Sequence, residues 1–155
     1  DKINDIIFET EHGPTGGDEV NLIPVSKIEN NIPLNYGWPM ASAGEHARGG
    51  VLDGKKKYEK YPLHKSHSKH GYIEPLKSYV PSIGISEITK LSKNSYVHSS
   101  LKDQSLYFFK LDDNKRIIDL ERVKVFERIR DLRFNDKKLY LFLEDTGTLG
   151  IISFD

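Results

Sequence analysis

Between Glu11 and Pro39 the chain reads EHGPTGGDEVNLIPVSKIENNIPLNYGWP, and no other stretch limits its folding so strongly. Prolines fix φ and remove a backbone donor, while glycines open conformations closed to other residues. A continuous helix is excluded here. What remains is a turn at Gly13 and Pro14, a glycine pair, a short apolar strand and a second turn at NYGWP. Such a loop can turn carbonyl oxygens toward one point, and hard cations such as calcium take oxygen ligands of that kind. Asp18 and Glu19 add negative charge beside the turn. Spacing alone leaves two readings open: a solvated hairpin loop in a β protein, or a metal-organised loop at the mouth of a site.

The flanking sequence is a succession of short strand patterns. Asp5 to Thr10 is β-rich, and Glu19 to Ile23 alternates, with Val20 and Leu22 on one face of a half-buried strand. Pro24 to Pro33 reads as a loop, and Trp38 and Tyr36 are large amphipathic groups suited to packing between sheets, Trp38 as a core aromatic. After residue 71 the strands return at Ile83 to Ile88, Asn94 to Ser99, Ser105 to Leu111, Ile117 to Phe126, Asp131 to Phe134, Lys138 to Leu143 and Leu149 to Phe154. Short strands at roughly 8–12-residue spacing, joined by Asp, Asn and Gly turns, indicate an all-β architecture. A sandwich and a propeller both fit.

Met40 to Gly71 is the irregular part, with GEHARGG, GKKKYEK and HKSHSKH in succession. A loop of that length inside a compact domain is usually functional or flexible. His64, His67 and His70 sit three apart, and three imidazoles can bind a transition metal. The competing reading is a solvated basic loop, since Ser, Lys and Gly around them do not favour a helix.

Composition removes several function classes. Lysine plus arginine and aspartate plus glutamate both total 23, so no overall field argues for nucleic acid or a membrane surface. No apolar run approaches the ~20 residues of a membrane-spanning helix. Cysteine is absent, which excludes disulfides and thiolate metal sites. DKINDIIFET carries no charged-then-apolar export signal.

HGPTGGDEVNLI followed by NYGWP resembles the soluble quinoprotein sugar dehydrogenases, the glucose/sorbosone dehydrogenase family that uses pyrroloquinoline quinone (PQQ). Downstream, YVPSIGIS is similar to that family's proline-serine turn, SSLKDQSLYFFKLD to its Leu-Lys strand pair, and ERIRDLRF to its Arg-x-Arg-Asp segment. The order runs from near the first residue to the last. The resemblance covers residues 1–155 as the C-terminal half of a family member. It implies about three blades, of four strands each, of a six-bladed β-propeller, with 40–71 a long irregular loop within it.

The resemblance also implies a site. PQQ is a flat tricarboxylate with an ortho-quinone, so its site needs fixed cations and hydrogen-bond donors. Lys102, Arg128 and Arg130 coincide with the family's cofactor-contacting cations, and Ser82 falls where the family offers a hydroxyl. Arg128 and Arg130 are two apart, so in extended chain they point to one side and can clamp carboxylates; on residue pattern alone, a solvated strand face with Asp131 as partner is the other reading. Gly13 and Pro14 match the residues whose carbonyls hold the cofactor-bound calcium. Glu19 and Tyr36 match a second, structural calcium site, through a carboxylate and a backbone carbonyl. His12 is placed as a hydrogen-bonding neighbour of the cofactor, whereas Asp18 stays outside the site and pairs with a nearby cation. Val80 stands where some relatives carry Trp before the proline, which removes an aromatic stack.

The family's proton-accepting histidine and an Arg-Asn pair lie upstream of everything matched. His46, His64, His67, His70 and His98 match no such motif, so no catalytic residue is assigned and this chain alone is expected to be inactive. Half a propeller would leave open sheet edges and an exposed apolar flank. The expected whole is a periplasmic or secreted PQQ- and calcium-dependent enzyme that oxidises the anomeric hydroxyl of aldose sugars by hydride transfer. Its partners would be the sugar, an external electron acceptor and the remaining N-terminal half. The alternative is a non-catalytic calcium-binding propeller module for carbohydrate or protein binding.

Overall fold

Among the described residues, alternating β-branched and aromatic residues between Gly, Asp and Asn turns produce ten strands in three antiparallel sheets. The computed structural model describes residues 1–47 and 54–154. They form two compact units, one of residues 5–82 and one of residues 1–4 with 83 onward.

In the first unit β1 (Ile6–Glu11) pairs with β2 (Asp18–Pro24), which pairs with β3 (Lys77–Tyr79). The register sets Glu11 opposite Glu19 and Glu9 opposite Asn21, so three carboxylates and an amide share one sheet face. The expected half-buried β2 is corrected: Val20 is buried, but so are Glu19 and Asn21 on the opposite side. Asn21 Nδ2 donates to Glu9 Oε2 at 2.8 Å; His67 Nε2 lies 3.3 Å from Glu19 Oε1 without forming a hydrogen bond.

Three further expectations change in this unit. Pro24 to Pro33 is not all loop: Val25–Glu29 forms a short helix, α1, with Pro24 at its N-cap, a position where a missing N–H costs no helical bond. The 40–71 segment contains helix α2 (Gly54–Lys60) and a single 3-10 turn at Ser68–His70, and its part at 48–53 lies outside the described residues. Trp38, expected in the core, is 54% exposed, whereas Tyr36 is half-buried and donates its hydroxyl to the Leu22 carbonyl at 2.8 Å. Gly37 at φ 98° bends the chain so tightly that Ala41 N–H reaches the Gly37 carbonyl, which turns the indole outward.

The second unit holds a four-stranded sheet, β4 (Ile85–Lys90), β5 (Ser95–Ser100), β6 (Ser105–Leu111) and β7 (Ile117–Lys124), in that spatial order. A three-stranded sheet follows: β8 (Ile129–Asn135), β9 (Lys138–Leu143) and β10 (Thr148–Ser153). Val97, Leu106, Ile129, Leu132, Leu139 and Leu141 make the core between these sheets. Each strand follows its neighbour in sequence, the meander of a propeller blade. β7 is exposed along nearly its whole length, and β10 exposes Leu149 and Ile151. The chain is all-β and forms part of a propeller fold.

Candidate functional site

The turn expected to carry calcium is organised by Asp18. This carboxylate is fully buried. Its Oδ1 accepts the Gly13 N–H at 3.1 Å, and its Oδ2 accepts the Ser82 hydroxyl at 2.8 Å. Gly17 N–H donates to the Tyr79 carbonyl at 2.7 Å, which ties the glycine pair to the strand before Ser82. Asp18 was expected outside the site, paired with a cation. It instead joins two segments that the resemblance assigns separately, and the cue for it in the sequence was the glycine pair that lets the chain fold back on itself.

Gly13 is required sterically. A Cβ there would stand 2.0 Å from the Gly16 carbonyl oxygen and 2.6 Å from that of Gly17, so the loop closes with oxygens crowded around it. A cavity of about 10 Å³ lies against Glu11, His12, Gly13, Gly17, Glu19, Trp38, Ala41 and Ser42, the size of one water or ion. Burial first, then Glu11, raises the Glu19 carboxyl to about 7; Glu9 and Glu74 add to this and Asn21 opposes it. Glu11 is raised too, by burial and by Glu9. Asn21 Oδ1 is a buried acceptor with no donor. Carboxylates that resist ionising beside an unused amide oxygen fit a hard cation in kind. Among the described residues no three His, Cys, Asp or Glu side chains converge as a metal-ligand set.

The three spaced histidines do not form a metal centre. His64 and His70 stack at 3.5 Å, while His67 turns inward between Glu19 and Glu74, 3.4 Å from the latter. Only His70 lies in the 3-10 turn Ser68–His70, while His64 sits on a bridge to Ala41, so no single helix lines up the three imidazoles.

In the other unit Lys102 is exposed on the turn between β5 and β6. Its N–H donates to the Ile83 carbonyl at 3.0 Å, and Gly84, at φ 62°, has no room for a Cβ, which would lie 2.9 Å from Lys102 N. Arg128 and Arg130 both reach Glu144: Arg128 Nε lies 3.4 Å from Oε1, and Arg130 Nη2 donates to Oε2. A bulge between Ile129 and Asp131 lies in this strand. The expected partner Asp131 instead accepts the Leu132 N–H at 2.7 Å. Glu144, in the hairpin turn after β9, carried no sequence cue. Two guanidiniums on one carboxylate form a seat of the kind a carboxylate-bearing cofactor requires.

His98 is fully buried, and desolvation lowers its pKa to about 4 despite a backbone hydrogen bond at Ser99. It stacks on Tyr107 with centroids 4.8 Å apart. A neutral imidazole sealed in the sheet is a core group. Among the described residues no helix is long and apolar enough to cross a membrane.

The chain matches the Glucose / Sorbosone dehydrogenase family over residues 1–151. It is 29% identical over 140 residues to the uncharacterized protein slr1608 of Synechocystis sp., covering 86% of this chain and 30% of that protein. A solved glucose dehydrogenase is similar at 26% identity and TM-score 0.69, over 94% of this chain and 40% of that one. The apo-form soluble aldose sugar dehydrogenase of Escherichia coli superposes with TM-score 0.70 at 21% identity, over 96% and 41%. The PQQ-bound aldose sugar dehydrogenase of Streptomyces coelicolor gives 0.55 at 19%, over 88% and 33%. The chain thus spans well under half the length of each.

Proposed function

This chain belongs to the glucose/sorbosone dehydrogenase family, and on that premise we propose that it is the C-terminal part of a PQQ-dependent aldose dehydrogenase. The observation that carries the reading is the convergence of Arg128 and Arg130 on one carboxylate. When bound, the quinone would accept a hydride from the anomeric carbon of the sugar, and calcium would polarise it as a Lewis acid.

The chain's own residues would bind and orient. Arg128 and Arg130 take carboxylate through paired N–H donors, and Lys102 contributes a point charge from a rigid turn. Gly13 and Pro14 offer carbonyl oxygens to the cofactor's calcium, while Glu19 and the Tyr36 carbonyl serve a second, structural ion. His12 donates or accepts a hydrogen bond at the cofactor's edge. Ser82, whose proton is directed to Asp18, would present its hydroxyl at the cofactor. The proton acceptor for the sugar hydroxyl comes from the N-terminal half of the propeller, and residues 1–155 make one portion of that domain. The natural-length enzyme works in the periplasm or outside the cell and passes electrons to an external acceptor.

A second reading has one observation in its favour. Ser82 and Asp18 form an internal pair that needs no cofactor, as in a calcium-bearing propeller used for carbohydrate or protein binding. PQQ titration followed by absorbance, with calcium present, separates the two. Replacing Lys102, Arg128 or Arg130 by Ala in the natural-length protein should weaken PQQ binding by on the order of 10- to 100-fold each. Unchanged binding in all three variants would leave the binding module.

A further inference from the structure

The turn that carries Lys102 is fixed by a row of side chains to which no motif assigned a role. Cross-strand register sets His98 of β5 opposite Tyr107 of β6, Tyr107 opposite Arg122 of β7, and Ser105 opposite Lys124. Asp103, the residue after Lys102, sits on this row. Its carboxylate accepts the Tyr107 hydroxyl at 2.6 Å and both prongs of Arg122, Nε at 2.8 Å and Nη2 at 2.7 Å. Its main-chain carbonyl accepts Ser105 Oγ at 2.9 Å and the Lys124 ammonium. On the other side, the Lys102 and Asp103 N–H groups both donate to the Ile83 carbonyl, at 3.0 and 2.9 Å.

The strength of this clamp follows from its chemistry. A two-pronged Arg–carboxylate pair is geometrically specific as well as strong, and the stacked, buried His98 removes the freedom of the Tyr107 ring. Burial works to raise the Asp103 carboxyl, yet the hydrogen bonds from Tyr107, Ser105 and Arg122 overcome it, so the group is lowered and stays ionised. Such a network far exceeds what a surface turn needs to close. Its product is a turn tied at Asp103 and at the Ile83 carbonyl beneath an exposed lysine.

We propose that Asp103, locked by Tyr107 and Arg122, is the positioning residue that aims Lys102 at an anionic group of the bound cofactor. The inference rests on the functional reading above and adds a residue to it. Restricting the turn removes the entropy that a flexible lysine would otherwise lose on binding.

The test is PQQ titration with calcium present, on the natural-length protein, as a double-mutant cycle of Asp103→Asn and Lys102→Ala. Asp103→Asn should weaken PQQ binding about tenfold when Lys102 is present, and by less than about twofold in the Lys102→Ala background. Tyr107→Phe removes only a hydroxyl and keeps the core ring. It should weaken binding a few-fold, again only with Lys102 present. Equal losses in both backgrounds, or no loss at all, would overturn the positioning role and leave the functional reading standing. Lys102→Ala binding PQQ as tightly as the unaltered protein would remove Lys102 from the cofactor and overturn the positioning role; unchanged binding in the Arg128→Ala and Arg130→Ala variants as well would overturn the functional reading too.

Discussion

The Ser82 hydroxyl donates to Asp18 Oδ2 at 2.8 Å, across 64 residues of sequence, while the other oxygen of the same carboxylate holds the Gly13 N–H. One buried acid therefore fixes both the candidate calcium turn and the candidate hydroxyl of the cofactor site.

Asp18→Asn tests that linkage. An amide keeps one acceptor and presents N–H to the other donor, so one charge-assisted bond is lost and a donor clash replaces it. Stability should fall by about 2–3 kcal/mol, seen in denaturant titration. Calcium affinity, measured by calorimetry, should fall with it, because the Gly13 turn loses its anchor.

Glu144 occupies the anion seat of Arg128 and Arg130. The pair is partly exposed, and such pairs contribute about 0–1 kcal/mol, so Glu144→Gln should leave the melting temperature nearly unchanged. Removing a negative charge beside an incoming tricarboxylate should tighten PQQ binding up to about fivefold. Weaker binding in that variant would show that Glu144 orients the arginines rather than competing for them.

Acid stability should report His98. Its folded pKa of about 4 lies below the ordinary value of 6.5, so between those pH values the unfolded chain binds a proton that the folded chain refuses. The stabilisation is present above about pH 6.5 and is lost as pH falls toward 4, by up to about 3 kcal/mol at 1.36 kcal/mol per pKa unit. His98→Phe keeps a stacked ring over Tyr107 and should flatten that slope in thermal melts taken across this range.

Leu106 is fully buried in the core of the second unit. Leu106→Ala should cost about 2–5 kcal/mol through lost burial and a residual cavity. A change below ~1 kcal/mol in denaturant unfolding would mean that the site collapses around the smaller side chain.

Strand positions, and with them the fold class, were legible in the residue pattern. β6 and β9 fall on the expected residues Ser105–Leu111 and Lys138–Leu143, because alternation and turn residues are local signals that act within a few positions. The order of motifs also carried the family, which residues 1–151 match.

Which residues touch was set by packing between distant segments. Along the sequence Asp18 reads as a carboxylate outside the site, paired with a cation, and Trp38 as a core aromatic. The partner of the first lies 64 residues away, and the second is turned out by a glycine with positive φ. Glu144 lay outside every motif and Asp103 lay inside one without a role, yet cross-strand register and hairpin closure bring them to the arginines and the lysine turn. Pattern along a chain records which face a residue occupies. It does not record which residue stands opposite, since that depends on register and loop closure between segments far apart in sequence.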